Sequence, residues 1–405
     1  MRTLVLSLLF FSQTAIQAQQ QIIKGVLLDR NSSAPIPFAH IALLGSNKGT
    51  VSNADGVFHL KNISSAEVLL KVSCIGYGTD TVKWERDKHD RDFKIQLFPA
   101  ILQLEDIYVN GERTTPQEII EEAYLRINEN YWLEPHLLTG YFKETESTNG
   151  KAIYQADAII QAKIPGKGRD ADGRIEILHL SDRMKKMPEY ENWRREFRKR
   201  NGISGGAYRC LKYSINDPIN AIFPSHFQDY SYRIEGYTNF NGKKVVIISF
   251  TDSKRKPIFG KLIIDLASYA FVRIEGSKTH GDGGPLDNWK WSLHTWVEQY
   301  MEDENGKWLL NSSIYIGDWI QKRNKFYWLG TEKNQKYQTR SYYFTTDYAK
   351  SKAFTEQGIR FERNEIMIDR AFNNDHSYWE NFDHLILRET EKEISKQVEI
   401  DKERP

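Results

Sequence analysis

The sequence predicts a mainly β protein in two parts. A small module of short strands comes first, and a larger antiparallel sheet with one helix against it follows. Three observations carry this. Between Gly25 and Tyr77, short apolar or alternating runs are closed by turn residues. From Leu138 to Phe344, ten longer strand-like runs recur, several joined by Asn-Gly pairs. Between these parts lies one stretch with helical periodicity. The composition agrees: aromatics make up 13% of the 405 residues and Tyr alone accounts for 21, as suits pleated, half-buried sheet.

Arg2, the apolar run Leu4 to Phe11 and Ile16-Gln17-Ala18 read as a secretory signal over residues 1–18. The run is too short to span a bilayer, and no Cys follows it to take a lipid anchor. In the first module come Gly25-Val26-Leu27-Leu28-Asp29, then Pro35-Ile36-Pro37-Phe38-Ala39-His40-Ile41, then Gly49 to Phe58, then Val72-Ser73-Cys74-Ile75-Gly76-Tyr77. The prolines suit a strand entry or an edge, where a missing N–H costs little. Asn53-Ala54-Asp55-Gly56 reads as a hairpin turn, because Asp-Gly supplies positive φ.

The spacing and order of these pieces resemble the carboxypeptidase-regulatory-like domain found at the front of Bacteroidetes outer-membrane proteins. That resemblance implies a seven-stranded, prealbumin- or Ig-like β-sandwich with no catalytic role, over residues 19–98. Leu104-Glu105-Asp106-Ile107-Tyr108-Val109 also resembles the phrase leading into the plug of TonB-dependent receptors. No plug motif follows, and the remaining chain is too short for a receptor barrel. Residues 99–114 read as a linker.

Thr115-Pro116-Gln117-Glu118 opens the helix. Thr115 caps it, Pro116 suits the first helical position and Glu118 completes a capping box. Ile119, Ile120, Ala123, Tyr124 and Ile127 form its apolar face, and Pro135 lies beyond its end. The predicted strands then run Leu138–Glu144, Ala152–Ile164, Arg174–Leu180, Tyr230–Tyr237, Lys244–Phe250, Phe259–Leu266, Phe271–Gly276, Trp289–Tyr300, Trp308–Ile316 and Tyr337–Phe344. Asn149-Gly150, Asn241-Gly242 and Asn305-Gly306 mark hairpins. The pair Gly260 to Asp265 and Ser268 to Glu275 resembles a recurring hairpin of lipoprotein-carrier-like half-barrels, which implies a curved sheet packed on a helix over residues 115–348. An insert over residues 182–227 holds a short helix from Tyr190 to Arg200 among turn signals that include Gly205-Gly206. Residues 349–405 read as an extension ending in a charged tail. Within it, Tyr378-Trp379-Glu380-Asn381-Phe382 is similar to a phrase near the end of Bacteroidetes proteins known by their regulatory domain alone.

Function classes narrow as follows. A net charge of +2 gives no field for nucleic acid. The sequence shows no Gly-rich phosphate loop, no Gly-x-Ser-x-Gly elbow and no His-Glu-x-x-His pair, so no catalytic residues, metal or cofactor are expected. Asp375-His376 and Asp383-His384 do not make a converging ligand set, and Asn53, Asp55 and Gly56 make a turn rather than a calcium loop. Cys74 and Cys210 read as separate thiols.

Two surfaces are candidates for binding. Trp289, Trp291 and Trp308 lie on neighbouring strands, Trp289 and Trp291 with the same parity, and could line a groove for an acyl chain or other hydrophobic ligand; the alternative is a packed core. Arg194, Arg195 and Arg198, flanked by Trp193 and Phe197, could meet an anionic membrane surface; the alternative is a solvated helix with Glu191 and Glu196 interleaved. The expectation is an exported, non-enzymatic binding protein, in the periplasm or on the periplasmic face of the outer membrane, with an envelope protein or a lipid as partner. The competing reading is a hydrolase whose site assembles in three dimensions from His226, His294, Asp265 and Glu275. A second competitor is a scaffold without a ligand.

Overall fold

The computed structural model describes residues 21–53, 55–88, 93–102, 108–109, 112–164, 174–181, 184–198, 206–212, 229–252, 258–279, 289–321, 335–350, 358–362 and 365–370. The expected signal, the charged tail, both Asp-His pairs and His226 lie outside them.

The first module is a sandwich of seven strands. β1 (Gln21–Asp29), β4 (Val57–Ile63) and β7 (Phe93–Leu97) form one sheet, with β1 central. β2 (His40–Leu43), β3 (Gly49–Val51), β5 (Glu67–Ser73) and β6 (Asp80–Glu85) form the other, in the order β3-β2-β5-β6. Alternation drives the packing. In β7, Phe93, Ile95 and Leu97 point in while Lys94 and Gln96 point out. They meet Ile23, Leu27, Phe58, Leu70, Val72 and Trp84 between the sheets.

The turn at Asn53 differs from the expected hairpin. β3 and β4 belong to different sheets, so the chain crosses the sandwich there. Asn53 Oδ1 accepts from the backbone of Asp55 and Val57, and Gly56 takes φ +71°. Ser52 Oγ donates to the Ile36 carbonyl and accepts from the Ala39 backbone, which ties the end of β3 to the preceding loop. The Asp-Gly signal is satisfied, but by a sheet-to-sheet corner.

The second part is a large curved antiparallel sheet. Twelve strands lie in one row: β22 (Ile359–Phe361), β13 (Arg174–Leu180), β12 (Lys151–Ile164), β11 (His136–Thr148), β21 (Gln335–Lys350), β20 (Trp308–Gln321), β19 (Trp289–Glu302), β18 (Phe271–Thr279), β17 (Ile258–Asp265), β16 (Lys243–Asp252), β15 (Tyr230–Phe240) and β8 (Ile101–Leu102). β14 (Lys185–Lys186) branches onto β12, and β9 (Tyr108–Val109) pairs with β10 (Glu112–Arg113). The chain runs β11 to β13 in one direction, crosses over, and returns as an unbroken meander from β15 to β21, which closes onto β11. All ten predicted strands are present, most of them extended by a few residues. Asn149-Gly150 and Asn241-Gly242 both adopt positive φ, as two-residue hairpins require. Residues 101–102 are not free linker: β8 pairs with β15, and Thr238 Oγ1 donates to the Ala100 carbonyl.

Helix α1 (Pro116–Leu125) carries the predicted capping box: the Glu118 N–H donates to Thr115 Oγ1, and the Thr115 N–H to Glu118 Oε2. Ile119, Ile120 and Ala123 are buried, and Tyr124 meets Phe271 edge-on at 5.5 Å. The short α2 (Ile127–Asn130) is pinned to the turn between β17 and β18, where Asn130 Nδ2 donates to the Ser268 carbonyl and Tyr131 Oη to that of Phe271. α3 (Tyr190–Arg198) packs on β12 through Tyr190 and Trp193 against Tyr154. α4 (Gly206–Lys212), which the Gly205-Gly206 pair had suggested was a turn, lies on β11, β20 and β21.

The two parts touch. Val51 of β3 and Phe38 join Tyr141, Ile159, Ile314, Ile316, Tyr342 and Phe344 on one face of the large sheet, with Phe38 stacked on Phe344 at 6.2 Å. The opposite face, over the same strands, carries α4.

Candidate functional site

Cross-strand register fixes which side chains share the α4 face, because directly opposed residues of an antiparallel pair point the same way, about 4.5–5.5 Å apart. One row reads Ile274, Glu298, Ser313, Tyr343, Phe142, Ala158. The next reads Gly276, Trp296, Tyr315, Ser341, Glu144, Ala156. A third reads Lys278, His294, Gly317, Thr339, Glu146, Tyr154. The ends of these rows are largely apolar or aromatic. Their middle is a stripe of carboxyls and hydroxyls.

The stripe is buried. Glu144, Glu146 and Glu298 are each at most 3% exposed. Each receives a hydroxyl proton: Tyr154 Oη donates to Glu144 Oε1 at 2.6 Å, Thr339 Oγ1 to Glu146 Oε2 at 2.6 Å, and Tyr300 Oη to Glu298 Oε2 at 2.6 Å. The Gly206 N–H at the start of α4 donates to Glu144 Oε2 at 2.7 Å. Only glycine fits there, since a Cβ would stand 1.9 Å from that oxygen and 2.3 Å from Ser341 Oγ. Gly276 serves in the same way: the Trp296 ring lies where its Cβ would be.

Several polar atoms on this stripe have no hydrogen-bond partner among the described residues: Glu298 Oε1, both amide atoms of Asn311 and Ser341 Oγ. Asn311 is the extra residue of a bulge, since Gln299 pairs with Ser312 while Tyr300 pairs with Leu310. Burial, opposed only by the Tyr300 hydroxyl, pushes the Glu298 carboxyl up to about 8. It is therefore mostly protonated at neutral pH and can donate a hydrogen bond as well as accept one.

The sequence-derived candidates fall in different places. The backbone of Trp289 and Trp291 is at the start of β19, with Trp291 opposite Trp319; their side chains are outside what the structure describes. Trp308 lies at the far end of the same hairpin, opposite Glu302 and eleven residues from Trp291's position on the ladder, or roughly 36 Å at strand rise. It is 1% exposed, stacked on Phe240 at 6.4 Å, with Lys243 Nζ 5.4 Å from its ring. Trp308 thus does not share a wall with the other two.

On α3, Arg194 Nε donates to Asp369 Oδ2 at 2.6 Å, beside Tyr190 Oη on Oδ1. Trp193 is turned into the core, Arg195 is exposed, and the side chain of Arg198 is outside the described residues.

The hydrolase set does not assemble among the described residues. His294 meets Tyr315 edge-on at 4.8 Å on the α4 face. Glu275 is opposed to Val297 on the other face and bound by Arg273. Asp265 caps its own turn through Ser268. Cys74 and Cys210 are not bonded to each other; Cys210 is fully buried, and burial pushes the Cys74 thiol up to about 11. Among the described residues, no group of three or more His, Cys, Asp or Glu could hold a metal ion. No helix there is long and apolar enough to cross a membrane.

Sequence reasoning missed the stripe itself. A signal was present: His294, Trp296 and Glu298 share parity, which puts a carboxyl on an aromatic face. The bulge that adds Asn311 left no mark in the sequence.

Residues 23–109 match the CarboxypepD_reg-like domain, so the chain carries that domain at its N-terminal end. No curated protein matches the chain. Solved structures that match include a DUF1329 family protein from Desulfovibrio piger, 9% identical, covering 60% of this chain and 96% of its own, at TM-score 0.27. A putative outer membrane lipoprotein-sorting protein domain from Vibrio parahaemolyticus is 12% identical, covering 58% and 94%, at TM-score 0.24. A LolA superfamily protein from Nitrosomonas europaea is 9% identical, covering 59% and 95%, at TM-score 0.23.

Proposed function

We propose that this is an exported, non-enzymatic binding protein of the bacterial envelope whose large sheet takes a hydrophobic, acyl-type ligand on its α4 face. The observation that carries the reading is the set of buried, unpartnered polar atoms amid aromatic side chains. Each such atom costs about 1–3 kcal/mol if left dry, so a fully packed scaffold would have little reason to keep Glu298 and Asn311 there. A ligand with a long apolar part and a polar group would use both halves of the face. Trp289 and Trp291 remain the proposed lining at its β19 end, and Arg195 a proposed contact with an anionic surface.

The sandwich is the proposed docking module for an envelope protein. Leu44 and Leu69, joined by a backbone hydrogen bond, stand 43% and 47% exposed beside each other, and such apolar pairs favour a partner. By contrast, the edge strand β6 is guarded by Lys83 paired with Glu67 and Glu85.

The test is native mass spectrometry of the protein purified from its own envelope, followed by organic extraction. A co-purifying acyl compound, lost from a folded Trp289→Asp/Trp291→Asp double variant, supports the reading. A clean apo mass moves the weight to docking by the sandwich.

A further inference from the structure

We infer that the α4 face holds a subsite for an uncharged hydrogen-bonding group, such as the carbonyl or hydroxyl of an acyl ester or amide, built from Glu298, Asn311, Ser313 and Tyr343. The inference rests on the hydrophobic-ligand reading and gives that ligand its polar end.

The four residues are contiguous. Ser313 is directly opposed to Glu298 on one side and to Tyr343 on the other, and Asn311 is two residues along the same strand. Neighbouring strands bring their side chains within about 5 Å of each other. All are buried: Glu298 and Asn311 are 1% exposed, Ser313 3% and Tyr343 0%. Tyr300 occupies Glu298 Oε2 and leaves Oε1 open, while the Asn311 amide keeps both its NH2 group and its carbonyl oxygen open. A hydroxyl uses both the donors and the acceptors, and a carbonyl uses the donors.

Charge selects against an anion. No Lys or Arg is paired with Glu298 among the described residues, and its other near neighbours are the phenols of Tyr300 and Tyr131. A carboxylate or phosphate brought here would be buried beside an ionisable carboxyl without a counter-ion, which is strongly unfavourable. The apolar remainder of the ligand would lie along Phe142, Trp296 and Tyr315.

The test compares three probes with the same oleoyl chain: monoolein, oleate and oleoyl lysophosphatidylglycerol. Each is titrated calorimetrically, below its micelle concentration, into the mature chain and into folded Asn311→Leu and Glu298→Gln variants. Monoolein is expected to bind at least tenfold more tightly than either anionic probe. Asn311→Leu should erase most of that preference without weakening oleate, whereas Glu298→Gln, which keeps both a donor and an acceptor, should retain it. If Asn311→Leu fails to fold, the ranking on the unmodified chain decides. Oleate or the lysophospholipid binding as well as monoolein would overturn the subsite while leaving the hydrophobic-ligand reading intact. Binding of none of the three would remove that reading and the subsite with it.

Discussion

The sandwich and the large sheet bury their polar groups differently. In the sandwich, Asp29, Ser52 and Asn53 sit at corners, each with its oxygens bonded to nearby backbone. The space between its two sheets is filled by aliphatic and aromatic side chains, and the buried atoms it leaves without a hydrogen-bond partner among the described residues, Ser73 Oγ and Trp84 Nε1 among them, belong to uncharged groups. In the large sheet, carboxyls and an amide stand in the middle of long strands, with oxygens and a nitrogen left over. Polar groups at corners shape a chain. Polar groups in mid-strand do nothing for the turns and cost stability unless something meets them. The first pattern needs nothing beyond the chain itself; the second is the one on which the proposed ligand reading rests.

Titration gives the sharpest way to break this comparison, through one buried group in each part, Glu298 and His40, whose shifts have opposite consequences. For Glu298, the folded chain keeps its proton up to about pH 8 while the unfolded chain releases it near 4.5. Stability therefore falls as pH rises across that window, by roughly 5 kcal/mol at most. Glu298→Gln should remove this alkaline loss, so the variant becomes more stable than the unmodified chain above pH 8. Urea denaturation from pH 4.5 to 9 measures it. Parallel slopes for the two proteins would mean that Glu298 is hydrated.

His40 in β2 acts in the other direction. Burial, with a smaller push from Lys71, lowers it from 6.5 to about 4. The unfolded chain takes up a proton below pH 6.5 that the folded chain refuses until about 4, so stability falls as pH drops, by roughly 3 kcal/mol. His40→Gln should flatten that acid limb and leave the alkaline limb alone. Hydrogen exchange resolved by segment should find the acid loss in β2 and β5 and the alkaline loss in β19 and β20.

A steric test follows, at the seam between α4 and the stripe. Gly206→Ala drives a Cβ into Glu144 and Ser341 and should cost about 1–3 kcal/mol, as overpacked sites do. The loss should appear in thermal melts as a lower midpoint with the sandwich's own exchange rates unchanged. A neutral result would mean that α4 can lift off the sheet.

Much of the architecture was legible because local rules sufficed. Asn149-Gly150 and Asn241-Gly242 needed only their own backbone preferences to define hairpins, and the strands around them were read from alternation. The corner at Asn53 was read as a turn but assigned the wrong partners, because the turn chemistry is the same whether the next strand returns to its neighbour or crosses to the other sheet. α4 was missed because two glycines argue locally for a turn; the helix is held by what it packs on, and Gly206 is there for close approach rather than flexibility. The candidate site was legible in kind and not in detail. Tryptophans flagged the β19–β20 hairpin, yet Trp308 proved to be at its far end. The stripe is created by register across β19, β20 and β21 and then onto Glu144 and Glu146 of β11, which is distant in sequence, and no single segment encodes it.

The smallest expected effect tests the boundary between the two kinds of burial. α1 enters the large sheet's core through Ile119, Ile120 and Ala123, but its first turn is solvent-facing and held by the reciprocal bonds of Thr115 and Glu118. This cap is of the sandwich's kind: a short polar side chain bonded to nearby backbone. Glu118 is held below its ordinary value first by the Thr115 N–H and then by the Thr115 hydroxyl, so the two residues act as one device. Thr115→Ala removes the hydroxyl acceptor for the Glu118 N–H and should cost about 1 kcal/mol, whereas Thr115→Ser should cost little. Since α1 packs at the β15–β18 end and not on the stripe, probe binding should be unaffected by either change. A loss of binding in Thr115→Ala with its fold intact would mean that α1 and the stripe are coupled across the sheet. The large sheet would then have to be treated as one responsive unit, rather than as a rigid support carrying a local site.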